Sequence, residues 1–304
     1  MYTFNVDELT IFPVIKILSL LCKKDDKPLD IFMDICIDYD NFDTRDEIRA
    51  FENKVKNIDL SALHSLNKLE SFKLCYFSNC DISNVMLLFI LKLLCSLPQN
   101  IKKVEIFLND IMINEYEIVE IKTKNNKYHV SIKEAYTKFM TIFLRRIKDH
   151  VEDLNLSLNY SFSSMHNELR EYHNLKKLNL FLSCVSDKIG ETVSVIVQNN
   201  LDLQDISLNF VEINADSSDS NNWFLKLSEN IFNHKNIKII EIEWVESNSL
   251  KFDFNSFLNE YKLPLCKDYF ERSNILKKDI KIKINYDKKD FSYSSSNKRK
   301  LETI

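Results

Sequence analysis

One short apolar pattern recurs along this chain and constrains its fold more than any other feature. Apolar residues stand at relative positions 1, 4, 6 and 8 of an eight-residue frame, and the frame returns at intervals of 24 to 50 residues. Its copies are Leu69-Phe72-Leu74-Tyr76, Ile101-Val104-Ile106-Leu108, Val151-Leu154-Leu156-Leu158, Leu175-Leu178-Leu180-Leu182, Leu203-Ile206-Leu208-Phe210 and Ile237-Ile240-Ile242-Trp244. Such recurrence is typical of repeat proteins, in which each unit buries its apolar face only against its neighbours. The pattern therefore predicts an array of repeated strands.

The segments between the copies have a helical pattern, so each unit is predicted to be a strand followed by a helix. In residues 44–58, Thr44 and Glu47 have the spacing of a capping box. Residues 83–97 form a second predicted helix, which Pro98 ends. Strand-then-helix units that run in one direction imply a parallel sheet with helices along one side.

The ends of the array are less regular. A first copy of the frame is predicted at Phe32, Ile35, Ile37 and Tyr39, and a last strand at residues 280–286. The domain boundaries that we expect are an N-terminal helical cap over 1–27, whose helix at 6–22 is kinked by Pro13, the repeat array over 28–286, and a disordered basic tail over 287–304.

The interval between Ile101 and Val151 is about twice as long as a minimal unit. Residues 117–122 and 128–132 alternate apolar and polar side chains on either side of a polar turn, which is typical of a β-hairpin. We therefore predict a β-hairpin insertion within residues 110–132.

Composition excludes several classes of function. The chain has a single glycine, Gly190, so the glycine-rich loops that bind dinucleotides or nucleotide phosphates cannot form. Its seven cysteines are odd in number and form no CxxC motif, which argues against a disulfide framework or a zinc ribbon and favours a reducing compartment. The aspartates at 34, 38, 40 and 43 lack the glycine of a calcium-binding loop. We expect no enzymatic activity, no cofactor and no metal.

The most apolar window, residues 85–97, is shorter than the roughly 20 residues that span a bilayer. The first ten residues also lack the basic region of a signal peptide. We therefore expect no membrane association and a cytoplasmic location. The basic run Lys298-Arg299-Lys300 gives nuclear import as an alternative.

The segment Val151-x-x-Leu154-x-Leu156-x-x-Asn159 resembles the core of a leucine-rich repeat, and residues 101–109 repeat it with Asn109 at the ninth position. The alternation of strand and long helix is most similar to the ribonuclease-inhibitor-like class. This resemblance implies an α/β solenoid with a curved parallel sheet and helices on the convex side. Phe77, Val211 and Val245 stand where the family has asparagine, so the implied arc is irregular.

The resemblance also implies a protein partner on the concave face of the sheet. Positions 5 and 7 of the frame point to that face, because strand side chains alternate. Two large aromatic residues there, Phe107 and Phe181, are candidate anchors for an interface. At about 4.8 Å per strand, we expect them to lie roughly 10 Å apart and to contact one partner element. The surrounding partner-binding candidates are Asn155, Asn179, Asn209, Glu241 and Glu243.

The function that the sequence predicts is therefore a non-catalytic protein–protein interaction scaffold. One alternative is a ubiquitin-ligase substrate receptor, in which the N-terminal helix docks an adaptor. The other is a nucleic-acid- or ribosome-associated protein that uses its basic C-terminal end, although the net charge of −4 gives no global attraction to nucleic acid. The residues of that basic end are Lys281, Lys283, Lys298, Arg299 and Lys300.

Overall fold

The fold is mixed α/β and divides into two units, Met1–Val151 and Glu152–Ile304. It is seen in a computed structural model. The residues that the structure describes are 1–21, 28–77, 83–108, 117–122, 127–158, 165–182, 187–210, 230–231, 234–245, 279–286 and 289–294.

The first unit contains four parallel strands that neighbour one another in chain order. They are β1 (Tyr2–Val6), β2 (Leu29–Cys36), β3 (Leu69–Phe77) and β4 (Lys103–Leu108). The connecting helices are α1 (Ile11–Leu21), α2 (Arg45–Lys56) and α3 (Asn84–Ser96), with short 3-10 helices at Tyr39–Asn41 and Ser61–Ser65. An antiparallel pair, β5 (Ile118–Lys122) and β6 (Lys127–Ser131), then leads directly into α4 (Ile132–Ile147). The β-hairpin predicted from the sequence is thus present.

The second unit continues the same alternation. Its parallel strands are β7 (Asp153–Leu158), β8 (Lys177–Leu182), β9 (Asp205–Phe210), β10 (Ile239–Val245) and β11 (Asp279–Tyr286), and β12 (Lys289–Ser294) pairs antiparallel with β11. The helices α5 (His166–Arg170) and α6 (Asp187–Asn199) connect the first three of these strands.

In both units one face of the sheet is buried and the other is partly open. The frame positions 4, 6 and 8 of β3 and β4 are fully buried, and so are positions 4 and 6 of β7, β8 and β9. Position 1 is also buried in every copy, from Leu69 to Ile237. Helix α3 contributes nine further buried side chains to the core of the first unit. The apolar pattern therefore marks the core as predicted.

Within each unit, several neighbouring repeats of the apolar frame are joined by the same backbone hydrogen bond. The N–H at position 2 of one repeat donates to the carbonyl at position 2 of the preceding repeat, and we call this contact the strand-start bond. It occurs as Lys102 to Glu70 (2.9 Å), Lys176 to Glu152 (2.7 Å), Gln204 to Lys176 (2.8 Å) and Lys238 to Gln204 (2.7 Å). Asparagine side chains one residue before position 1 add a second link, from Asn100 Nδ2 to the Asn67 carbonyl (2.6 Å) and from Asn236 Nδ2 to the Leu201 carbonyl (2.7 Å). Four neighbouring pairs of repeats thus share this hydrogen bond as well as the apolar pattern, whereas between β2 and β3 the bond runs from the Leu29 N–H to the Lys68 carbonyl (2.8 Å).

Side-chain caps define where the helices begin. Thr44, Ser83 and Ser131 each accept a hydrogen bond from the backbone N–H three residues on, at the starts of α2, α3 and α4. Asp7 precedes α1, and its Oδ1 accepts from the N–H groups of Leu9 and Thr10. These bonds hold the pKa of Asp7 below its usual value, chiefly through the Thr10 side chain. The helices α1 to α4 are therefore each preceded by a polar side chain that accepts hydrogen bonds from the first turn, whereas Met165 before α5 forms no such bond.

The N-terminal region differs from the sequence prediction. The predicted helix over 6–22 begins only at Ile11, and the preceding residues form β1, which pairs with β2. Pro13 does not split the helix, because it lies in the first turn, where no backbone N–H has an intrahelical acceptor. The N-terminal segment is thus a strand and a helix rather than a helix alone.

Three further predictions need correction. The first copy of the frame was placed four residues too late, since the register pairs Ile31 with Phe72 and Met33 with Leu74. The predicted disordered tail includes β12. The sheet is not curled in either unit, so the curvature that the resemblance implied is not observed. Most of the helix expected between the frames that begin at Leu203 and Ile237, and all of the basic run 298–300, lie outside the described residues.

None of the helices within the described ranges has both the length and the apolar character needed to cross a membrane.

Candidate functional site

The open face of the first unit carries two rows of side chains at positions 5 and 7. Strand register places Phe32, Lys73 and Glu105 side by side in one row. The neighbouring row consists of Asp34, Cys75 and Phe107. All but Cys75 keep part of their surface exposed. This face therefore presents a mixed aromatic and charged surface.

Lys73 lies at the centre of this surface. Its ammonium nitrogen is 5.2 Å from the ring centroid of Phe32 and 5.2 Å from that of Phe107. The same nitrogen is 3.2 Å from Glu105 Oε2. Each cation–π contact contributes about 0.5–1 kcal/mol at an exposed site, so the contacts hold a long, otherwise mobile side chain in one place. We call these four residues the Lys73 cluster.

Cys75 and Asp34 border the Lys73 cluster. Burial raises the pKa of the Cys75 thiol, against an opposite effect of Lys73, and the carboxylates of Asp34 and Glu105 add to the rise. The thiol therefore stays protonated and is not an activated nucleophile. Asp34 Oδ1 is buried and has no hydrogen-bond partner, which normally costs about 1–3 kcal/mol.

The open face of the second unit is more polar. Register aligns Asn155, Asn179, Ser207 and Glu241 in the position-5 row, and all four are half-buried. In the position-7 row Ser157 is buried, whereas Phe181 and Asn209 are half-buried. The backbone of Glu243 continues this row in β10, and its side chain lies outside the described part. Strand pairing therefore aligns these candidates in two rows, and their binding of a partner stays a prediction.

The two candidate anchors lie in different units, Phe107 in the first and Phe181 in the second. Their contact with one partner element stays a prediction. The sequence prediction missed Phe32 and Asp34 as neighbours of Lys73 and Phe107 on this face, because the misplaced frame of β2 hid their alignment. Strict alternation of apolar residues from Leu29 to Ile37 was the signal that could have placed Phe32 on the open face.

The basic C-terminal candidates are only partly described. Lys281 and Lys283 lie in β11, next to Glu241 and Glu243 in the register. Their side chains, and all of Lys298, Arg299 and Lys300, fall outside the described residues. The nucleic-acid alternative therefore stays a prediction.

A second polar cluster lies between α5 and α6. The buried His166 places Nδ1 2.9 Å from Thr192 Oγ1, which also accepts a bond of 3.3 Å from Arg170 Nε. Arg170 in turn contacts Glu191 at 3.4 Å. These bonds connect two packed helices and face no described cavity, so the cluster has the features of a helix–helix contact. Over the ranges that the structure describes, no group of three acidic, histidine or cysteine side chains could hold a metal ion.

The first unit also contains a cleft of about 560 Å³ between α2, α3 and β5. Its wall carries charges of both signs, including Glu52, Lys56, Lys92 and Glu120. None of the residues proposed from the sequence as partner-binding lines it. The cleft results from the position of the hairpin beside the helices.

Comparison with models of known protein families and with curated proteins finds no match for this chain.

Proposed function

We propose that this protein is a non-catalytic interaction scaffold of strand–helix units, similar to the ribonuclease-inhibitor-like class of leucine-rich repeats. Its partner is a protein that binds the open face of the sheet. The apolar frame, the strand-start bonds and the parallel strands in chain order support the repeat assignment. The polar and aromatic rows at positions 5 and 7 support the choice of face.

The observation that carries this proposal is the Lys73 cluster. Two half-buried phenylalanine rings are held on an otherwise polar face by their contacts with one lysine. Interface hot spots are enriched in aromatic side chains, and a preformed patch loses little conformational entropy on binding. Cys75, which borders the cluster, is not an activated nucleophile, since burial raises the pKa of its thiol. These properties favour binding over catalysis.

The test is affinity capture under reducing conditions with quantitative mass spectrometry. The wild-type chain is compared with the double variant Phe32→Ala/Phe107→Ala, with Phe181→Ala, and with Tyr128→Ala as a matched control. Tyr128 is an exposed aromatic residue of the hairpin. Since a hot spot contributes at least about 2 kcal/mol, the affinity of the double variant for its specific partners should be roughly 30-fold lower than that of the wild type. The affinity should be unchanged in the control.

Equal capture by the wild type and both phenylalanine variants, with folding verified by circular dichroism, would place the binding surface elsewhere.

The adaptor-docking alternative is favoured by one observation, the exposure of Ile17 and Leu20 on α1. The variant Ile17→Ser/Leu20→Ser therefore belongs in the same capture series. Selective loss of a ubiquitin-ligase adaptor in that variant would support the alternative instead.

A further inference from the structure

The open face of β2 has two carboxylates with an aromatic ring between them. Asp30, Phe32 and Asp34 alternate along the strand with buried apolar residues, so their three side chains point to the same side. Asp30 is exposed, and Phe32 and Asp34 are half-buried. A cation placed over the ring would therefore have a carboxylate on either side.

One side of Phe32 is open to such a cation. Lys73 contacts the ring from β3 at 5.2 Å. On the other side, register places Thr3 next to Phe32 and Asn5 next to Asp34, and both β1 residues are small and exposed. The β1 side of the ring is therefore bordered by short polar side chains instead of a bulky one.

The negative charges of Asp30 and Asp34 are not balanced by positive side chains nearby in the described part of the chain. Lys73 is paired with Glu105. Within the described part of the chain, neither Asp30 nor Asp34 forms an ion pair or a side-chain hydrogen bond, and Asp34 Oδ1 is buried without a partner. The Asp34 side chain as a whole is half-buried, so a cation over Phe32 can approach its carboxylate and stabilise it, because hydrogen bonds to charged groups are among the strongest in proteins.

We propose that the open face of β2 binds an extended basic segment of the partner protein. One arginine stacks on Phe32 and donates to Asp34, and a second basic residue reaches Asp30. Arginine fits better than lysine, because its planar guanidinium stacks on a ring while it donates several hydrogen bonds. The two aspartates are four residues apart, or about 13 Å along a strand, so each takes a separate cation. Alternate residues of an extended segment supply these cations on one side. This inference rests on the proposed function.

The test uses a fluorescein-labelled peptide, Arg-Ser-Arg-Ser-Arg, and the same peptide with citrulline in place of arginine. Citrulline keeps the shape of arginine and removes its charge. Fluorescence anisotropy with the full chain is measured at low and at physiological ionic strength, because screening weakens exposed ion pairs. The protein variants are Asp34→Asn, Asp30→Asn and Phe32→Ala. Asp40→Asn, an exposed aspartate of the same unit, is the matched control for charge.

The arginine peptide should bind, and the citrulline peptide should bind at least tenfold more weakly. Asp34→Asn should weaken binding about tenfold, and Phe32→Ala about three- to fivefold, with Asp40→Asn unchanged. Equal binding of both peptides, or equal effects of Asp34→Asn and Asp40→Asn, would overturn the inference. A partner captured from lysate that is lost in Phe32→Ala/Phe107→Ala but retained by Asp34→Asn would also overturn it, while leaving the proposed function intact.

Discussion

At the scale of single residues, Asn200 shows how a buried amide joins two neighbouring repeats of the second unit. Its Oδ1 accepts from the N–H of Leu175 at 2.7 Å, and its Nδ2 donates to the carbonyls of Tyr172 (2.8 Å) and Ile196 (2.7 Å). Leu175 is the first residue of the frame in one repeat, and Asn200 lies just before the frame of the next repeat. Both hydrogens of the amide nitrogen are used, so burial of this polar group is fully compensated.

Replacing Asn200 with alanine should therefore destabilise the protein by about 2–4 kcal/mol, because buried backbone groups lose their partners. Asn199→Ala is the matched control, since Asn199 is exposed and makes one bond, to the Arg170 carbonyl. It should cost less than about 1 kcal/mol. Urea denaturation followed by circular dichroism measures both. A similar loss in the two variants would contradict the role of Asn200.

Cysteine reactivity provides a second prediction at this scale. Cys36 is exposed, Cys75 is buried, and burial raises the pKa of Cys95 to about 11. At pH 8 only about one Cys95 thiol in a thousand is ionised, and the thiolate is the reactive form. Iodoacetamide should therefore modify Cys36 well before Cys75 or Cys95, as followed by peptide mass spectrometry. Faster labelling of Cys75 would show that the open face unfolds locally or that its thiol is activated.

At the scale of elements, the N-terminal boundary shows where periodicity misleads. Residues 2–6 alternate as a strand should, but they precede a longer apolar run whose helical pattern dominates. The stronger local signal was Asp7 with Thr10, because an aspartate that accepts hydrogen bonds from the next turn marks a helix start. Around β2 the apolar residues alternate over nine positions, so positions 4, 6 and 8 of the frame can be matched in more than one register, and Phe32 at position 1 favoured the wrong one. Pairing with β3 selects one of them.

The hairpin of β5 and β6 is predicted to be dispensable for folding. Of its described side chains only Val119 is buried, whereas Ile118 and Tyr128 are exposed. Replacing residues 118–130 with a short Gly-Ser linker should cost about 2 kcal/mol, the burial of one valine. Thermal denaturation followed by circular dichroism checks this.

The linker must spare Ser131, because this residue caps α4. Adding Ser131→Ala to the deletion should cost about 1 kcal/mol more. Complete unfolding of the deletion variant that retains Ser131 would mean that the hairpin belongs to the core.

At the scale of the molecule, the apolar frame predicted the buried face and the rows of the open face. Leu154, Leu156, Leu178, Leu180, Ile206 and Leu208 are all buried as expected, and the side chains of Ile240 and Ile242 lie outside the described residues. The Lys73 cluster was not predicted, because it depends on which residues become neighbours across β2, β3 and β4, and β2 had been placed in the wrong frame. Partner chemistry depends on such neighbours, whereas core position depends only on local alternation.

The strand-start bond has a consequence for how a chain like this can change over generations. In four pairs of neighbours the donor and the acceptor are the same position of the frame. A duplication of coding sequence that spans one whole interval would therefore recreate matching donors and acceptors at both of its junctions. A duplication that begins and ends at different positions of the frame would put the apolar residues of a strand out of register with its neighbours. Growth and loss by complete units is thus the change that this architecture tolerates.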